Sequence, residues 1–154
     1  KDRDSYGLIH VDVHGGNFYV SDGQVTLFDF DDCQYAWFIY DIAMALFYAI
    51  AHDCVKKEHI EWAGSFLRQF TEGYRLENAI DRRWLRQIPY FLKLREIDLY
   101  IIIHRSCDLD DLDPWCASFM HNRKYKIEND VPYVDLDWDE YARGGHFDSR
   151  RKPD

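Results

Sequence analysis

The apolar positions of this chain change period near residue 39. Before it, short runs rich in β-branched and aromatic residues, at 8–11 (LIHV), 18–20 (FYV) and 25–30 (VTLFDF), are separated by Gly15-Gly16 and by Ser21-Asp22-Gly23. Runs of that kind bounded by turn residues predict short strands. Asp22-Gly23 readily supplies the positive φ of a tight connection, so the second and third runs are expected to pair as an antiparallel hairpin. From Ile39 onward, Ile42, Ala43, Leu46, Phe47, Ile50 and Ala51 recur at i, i+3, i+4 and i+7. That spacing predicts a helix over 39–51 with one broad buried stripe.

A second helix is expected from about Glu58 to Tyr74, with Ile60, Ala63, Leu67, Phe70 and Tyr74 on one face. A third starts at Asp81, a good N-cap, and continues through Trp84, Leu85 and Ile88 toward Ser106, with Pro89 forcing a kink or a restart. The run Tyr100 to Ile103 is apolar on every side, which predicts the central, most buried helix of a bundle. After the acidic run Asp108–Asp113, a last helix is opened by Asp113 at the N-cap and Pro114 at N1, and should end before Val131-Pro132. The stretch from Gly144 reads as a loose tail. No repeat or linker divides the chain. The expected fold is therefore α+β, mainly α: residues 1–143 form one unit in which a small antiparallel β element sits at the edge of a helical bundle, and 144–154 form the tail.

Composition narrows the function classes. A chain of 154 residues that is 47% hydrophobic and 17% aromatic can bury a core, which excludes a disordered protein. Its 28 acidic against 19 basic residues give a net charge of -9, which disfavours nucleic acid and favours cationic partners. Cys33, Cys54, Cys107 and Cys116 contain no C-x-x-C pair and read as reduced thiols. No apolar run approaches the roughly 20 residues of a membrane span, and the opening KDRDSYG is no signal peptide. A cytoplasmic location is expected.

The dense polar cluster is HVDVHGGN, His10 to Asn17, followed by DFDD, Asp29 to Asp32. If the strands pair as a hairpin, the loop ending at Asn17 and the carboxylates after the third run lie side by side. Asp, Asn and a second Asp held together form an all-oxygen site suited to a hard cation such as Mg²⁺, leaving Asp12 to orient a hydroxyl nucleophile. A competing reading takes His10-x-Asp12-x-His14 as the transition-metal site of a hydrolase, since alternate strand positions can face one metal. The Asp108–Asp113 run reads as a solvated loop, or else as a surface for an amine-bearing acceptor.

His10-x-Asp12-x-x-x-x-Asn17, Asp29-Phe30 and YDIA at Tyr40–Ala43 resemble the catalytic region of the aminoglycoside phosphotransferase and choline kinase group, small-molecule kinases related in fold to protein kinases. The resemblance covers residues 6 to 51. It implies Asp12 as catalytic carboxylate, Asn17 and Asp29 as metal ligands, and His10 and Asp41 as internal braces of the catalytic loop. His14 would line the site, and Asp31 would either touch a second metal or cap the loop. It further implies Mg²⁺ or Mn²⁺ with ATP or GTP as co-substrate, and a small hydroxylated, cationic acceptor such as an aminoglycoside, choline or homoserine. Val11 stands where the group commonly has Gly, which reads as altered packing. The group's Gly-rich phosphate loop and strand Lys have no counterpart here. The resemblance thus implies the C-terminal, helical lobe of a protein-kinase-like fold, inactive alone, with apolar surface beside residues 8–20 that self-association could cover as a homodimer. A non-catalytic kinase-like binding module is the alternative.

Overall fold

A computed structural model describes residues 3–52 and 59–143. In chain order the elements are β1 (Tyr6–Ile9), β2 (Phe18–Ser21), β3 (Gln24–Leu27), β4 (Gln34–Trp37), α1 (Phe38–His52), α2 (His59–Glu77), α3 (Arg82–Leu85), α4 (Ile88–Ser106), α5 (Pro114–Met120), α6 (Arg123–Glu128) and α7 (Trp138–Arg143). The fold is mainly helical, with two small antiparallel sheets.

β2 and β3 form the expected hairpin, in register from Phe18 opposite Leu27 to Ser21 opposite Gln24. Its two-residue turn has φ of 51° at Asp22 and 76° at Gly23. Positive φ at both central positions matches the strand twist, which is why Asp-Gly works here. The first strand is displaced from the expected 8–11. It occupies Tyr6–Ile9 and pairs with β4, Tyr6 opposite Trp37 and Ile9 opposite Gln34. Val11 cannot continue a strand because its φ is 74°. The third run likewise stops at Leu27 rather than Phe30, since Asp29 turns left-handed at φ 61°. β4 was not expected from the sequence, because QYAW is too short to stand apart from the helical period that follows it.

The helical expectations divide. Asp81 accepts a hydrogen bond from the Arg83 backbone N–H and caps α3, and the chain restarts at α4 with Pro89 in its first turn. Asp113 accepts from the backbone N–H groups of Trp115 and Cys116, with Pro114 at the helix start. The single helix expected beyond Asp113 is two, because Asn122 is left-handed at φ 54° and separates α5 from α6. The expected start of the second helix at Glu58 and the expected tail from Gly144 lie outside the described residues.

The central buried helix is α1, not the segment around Tyr100–Ile103. Ile42, Ala43, Met44, Leu46 and Phe47 are all at most 1% exposed, so α1 is covered on more than one stripe. In α4, Ile101 and Ile102 remain 48% and 39% exposed. The reason lies in the flanks. α1 carries one ionised side chain among its described positions, Asp41, whereas α4 carries Lys93, Arg95, Glu96 and Asp98 immediately before the apolar run and Arg105 after it. A helix sinks as a unit, and charges on its turns hold part of the run at the surface. Phe47 stacks on Tyr133 at 4.3 Å between ring centroids. α4 is tied to α6 by Glu96, which is fully buried and accepts from Arg123 at 2.7 Å and from Lys93 at 2.6 Å. Both of its oxygens are thereby matched by a cation, as burying a carboxylate requires.

Candidate active site around Asp12

The loop between β1 and β2 is pinned to the first turn of α1. Asp41 accepts from the His10 backbone N–H at 2.9 Å and from the Val11 backbone N–H at 2.7 Å, one on each oxygen. A carboxylate in the first turn of a helix is also favoured by the helix dipole. The two bonds hold Val11 in its left-handed conformation, which costs a β-branched residue about 1–2 kcal/mol. Val11 is therefore more than altered packing: it fills a backbone position that glycine would occupy without strain. His10 is buried. Its Nε2 lies 3.0 Å from the Phe28 carbonyl oxygen, which can only accept, so that nitrogen carries the proton. The other ring nitrogen, Nδ1, faces the Asp12 backbone N–H at 3.4 Å.

These contacts project Asp12 into a shell of four donors. Its Oδ1 accepts from Tyr48 at 3.2 Å and from Arg95 at 3.1 Å. Its Oδ2 accepts from Asn17 Nδ2 at 3.0 Å and lies 3.2 Å from His14 Nε2. His14 Nδ1 already accepts the Gly16 backbone N–H at 2.9 Å, so in the neutral ring Nε2 is the donor to Asp12. The His14 side chain is 32% exposed, against 19% for Asp12 and 12% for Arg95.

Tyr48 and Arg95 were not anticipated from the sequence. They come from α1 and α4, and nothing local in the chain marks them as neighbours of Asp12. The Arg95 guanidinium sits over the Tyr48 ring, donates a very short hydrogen bond to its hydroxyl, and also pairs with Asp98 at 2.9 Å. Burial pushes the Tyr48 hydroxyl up to about 12, with Asp12 adding to the rise and Arg95 opposing it. Burial also pulls the Arg95 guanidinium down, but the Tyr48 oxygen and the Asp12 and Asp98 carboxylates leave it above its ordinary value. Tyr48 therefore stays a hydrogen-bond donor and Arg95 a cation across the neutral range.

Asn17 is buried, and its Nδ2 donates both to the Asp12 backbone carbonyl at 2.9 Å and to the Asp12 carboxylate. The amide is thus oriented with its oxygen as the remaining acceptor. The Phe28 backbone N–H donates to the Asn17 carbonyl at 3.0 Å, continuing the β2–β3 ladder and placing Asp29 one residue beyond Asn17's cross-strand neighbour. Asp29 and Asp31 are exposed. The His-x-Asp-x-His reading loses its basis here: the ring nitrogens of His10 and His14 are all engaged, leaving neither histidine a free lone pair for a transition metal. Among the described residues no group of three or more His, Cys, Asp or Glu converges to hold a metal. An amide oxygen with an exposed carboxylate is a hard, sparse donor set, of the kind that holds Mg²⁺ when substrate phosphates and water complete the shell.

A cleft of about 1280 Å³ opens beside the loop, bounded by His14 and Gly16, the β2–β3 hairpin, α1, and the aromatic face of α2. Among the described residues, no helix is long and apolar enough to cross a membrane. Cys33 and Cys116 are half-buried and Cys107 is exposed, all as free thiols, while Cys54 lies outside the described residues.

Residues 2–88 match the sequence profile of a family described as the phosphotransferase enzyme family. Amicoumacin kinase of Bacillus subtilis (strain 168) is 35% identical over 139 residues, which cover 90% of this chain and 41% of that protein. A solved structure of amicoumacin kinase hAmiN in complex with AMP-PNP, Ca²⁺ and Ami superposes with a TM-score of 0.81 at 38% identity, over 91% of this chain and 42% of that one. The chain spans about two fifths of the length of these relatives.

Proposed function

The chain belongs to the phosphotransferase enzyme family, and from that premise we propose that it carries the catalytic loop of a kinase moving the γ-phosphate of ATP or GTP to a hydroxyl of a small molecule. The observation that carries the reading is the Asp12 carboxylate, held by four side-chain donors from the loop, α1 and α4. Phosphoryl transfer through a loose transition state needs positioning and charge neutralisation more than a strong base. Asp12 answers that need: it accepts the hydrogen of the acceptor hydroxyl and aims the oxygen. All four acceptor positions of its carboxylate are taken, so the incoming hydroxyl must displace one donor. His14, more exposed than Arg95 and the buried Asn17, is the one that yields.

Asn17 through its amide oxygen and Asp29 through its exposed carboxylate would hold Mg²⁺ or Mn²⁺. That ion supplies neutralisation of the charge on the nucleotide phosphates. Asp31 lies close enough in sequence to contribute at the same rim. His10 and Asp41 act as braces: they fix the backbone from which Asp12 projects and touch no substrate. In this reading residues 1–143 are the C-terminal lobe, and the exposed apolar residues of the strands, Leu8, Tyr19, Val20 and Tyr35 among them, are where a nucleotide-binding lobe would sit.

The relatives named above are kinases of one small molecule, and a phosphate acceptor for this chain is read in the same class. The test is transfer of labelled γ-phosphate by the protein expressed from the whole reading frame that contains this sequence, compared with its Asp12→Asn variant. Transfer that depends on Asp12 is the expected outcome. Transfer that survives Asp12→Asn unchanged would remove the assignment.

A further inference from the structure

The acidic loop that joins α4 to α5 is flanked by cysteines. Cys107 is the C-cap of α4, its backbone N–H donating to the Ile103 carbonyl oxygen at 3.0 Å, and its side chain is exposed. Cys116 stands in the first turn of α5, where its backbone N–H donates to the Asp113 carboxylate at 3.0 Å. Between them the chain turns back on itself: the Asp110 backbone N–H donates to the Asp108 carboxylate at 3.0 Å, and the Asp111 backbone N–H to the Asp108 carbonyl oxygen at 3.2 Å. The reversal brings the two sulfurs together. The Cys116 thiol hydrogen-bonds with the Cys107 side chain as well as with the Asp113 carboxylate.

The two thiols meet unequal surroundings. Cys107 is exposed and Cys116 is half-buried, so a dissolved oxidant reaches Cys107 first. Burial pushes the Cys116 thiol up to about 12, and Asp113 and Cys107 add to the rise, so Cys116 keeps its proton across the neutral range. The part of that rise due to Cys107 disappears once the Cys107 sulfur is oxidised. A thiol already seated against an oxidised neighbour is the arrangement that resolves it to a disulfide rather than leaving it to further oxidation.

We propose that Cys107 and Cys116 are a site of reversible oxidation, closing to a disulfide across the α4–α5 junction in response to hydrogen peroxide. The Cys107 thiolate attacks one peroxide oxygen, its sulfur is oxidised to the sulfenic acid, and the other oxygen leaves as hydroxide and is protonated to water. The Cys116 sulfur then attacks the Cys107 sulfur. The S–S bond forms, the S–O bond breaks, and the departing hydroxide takes the Cys116 proton, so that one peroxide and two thiols become one disulfide and two waters. A dithiol reductant reverses the step by exchange. The closed form ties the Asp108–Asp113 loop between two helix ends and anchors α5, whose Trp115 stacks on Phe119 at 5.8 Å, to the end of α4.

Peptide mapping tests it. No Lys or Arg lies between Arg105 and Arg123, so trypsin releases both cysteines in one peptide, 106–123. The protein expressed from the whole reading frame that contains this sequence is treated with hydrogen peroxide, quenched, alkylated with iodoacetamide and digested without reductant. The expected product is a 106–123 peptide about 2 Da lighter than its reduced form and carrying no alkyl group, and dithiothreitol before alkylation is expected to restore alkylation of both cysteines. Cys107→Ser and Cys116→Ser should each yield no lighter peptide. Mapping of the unaltered protein decides the matter even if a variant folds poorly. A peptide alkylated at both cysteines after peroxide would overturn the proposal, as would Cys107 carried to sulfinic acid with Cys116 still alkylated, or Cys107 joined to a second chain.

Discussion

α1 and the strands before it are written in the same kinds of residue and end in opposite environments. α1 buries its apolar side chains almost completely, Phe47 among them at 0% exposure. The strands leave Leu8 at 61% and Tyr35 at 70%. The difference is layering. α1 is covered by α2 on one side and α4 on another, and by Tyr133 over Phe47, whereas each two-stranded sheet has a single covered face at most. A two-stranded sheet is marginal alone. Here it is held through Asp41 and the His10–Phe28 contact. The candidate site lies on that seam. Asp12, Arg95 and Asn17 sit on the packed side, and Asp29 and Asp31 on the exposed side, where the proposed metal and phosphates would approach.

The comparison breaks hardest at Asp12. In the protein from the whole reading frame, Asp12→Asn is expected to lower turnover roughly 10²–10⁴-fold, with nucleotide affinity nearly unchanged, whereas Asp29→Ala should weaken metal–nucleotide binding as well. Equal effects of the two variants on nucleotide affinity, by calorimetry, would erase the division between a packed side and an exposed side. On the packed side, Phe47→Ala should cost about 3–5 kcal/mol of unfolding free energy. Arg123→Met, which strips one cation from buried Glu96, should cost a similar amount. Chemical denaturation measures both.

The fold was legible where local chemistry dictates it. Asp22-Gly23 wrote the hairpin, Asp81 and Asp113 wrote helix starts, and the 39–51 period wrote α1. The breaks came from backbone conformations that no periodicity reveals: Val11, Asp29 and Asn122 all turn left-handed, and they ended two strands and split a helix. The four apolar residues at 100–103 misled because burial depends on charges a turn away. Asp12, Asn17 and the histidines could be singled out from spacing in one short stretch. Tyr48 and Arg95 could not, since their meeting with Asp12 is made by packing of α1 against α4, and a tyrosine or an arginine on a helix carries no sign of such a partner.

A subtler effect separates the two regions in alkali. The Tyr48 hydroxyl is raised by burial to about 12 from an ordinary value near 10. A folded-state value above the unfolded one means that its contribution to stability is complete below about pH 10 and is lost as pH climbs toward 12. Tyr48→Phe should therefore flatten the fall in stability between those limits. Tyr35→Phe, on the exposed strand face, should leave the fall as it is. Denaturant midpoints at a series of pH values between 9 and 12 compare them directly, and identical curves for Tyr48→Phe and the wild type would mean that this hydroxyl is not buried in solution.

The smallest energetic change tests what the open face is for. Leu8 stands opposite Tyr35 across the β1–β4 pair, and both side chains are exposed. Removing an exposed apolar side chain forfeits little packing, so Leu8→Ser should shift stability by no more than about 0.5 kcal/mol. Exposed apolar surface in contiguous strands nevertheless favours association with another copy or another lobe. The chain is therefore expected to self-associate as its concentration rises, and Leu8→Ser combined with Tyr35→Ser to suppress that association while the thermal midpoint stays nearly constant. Light scattering across a dilution series reads the first quantity and a melting curve the second. A wild-type chain that stays monomeric at high concentration, or a double variant that melts many degrees lower, would show that the strands are closed by their own packing and that the contrast with α1 is one of degree.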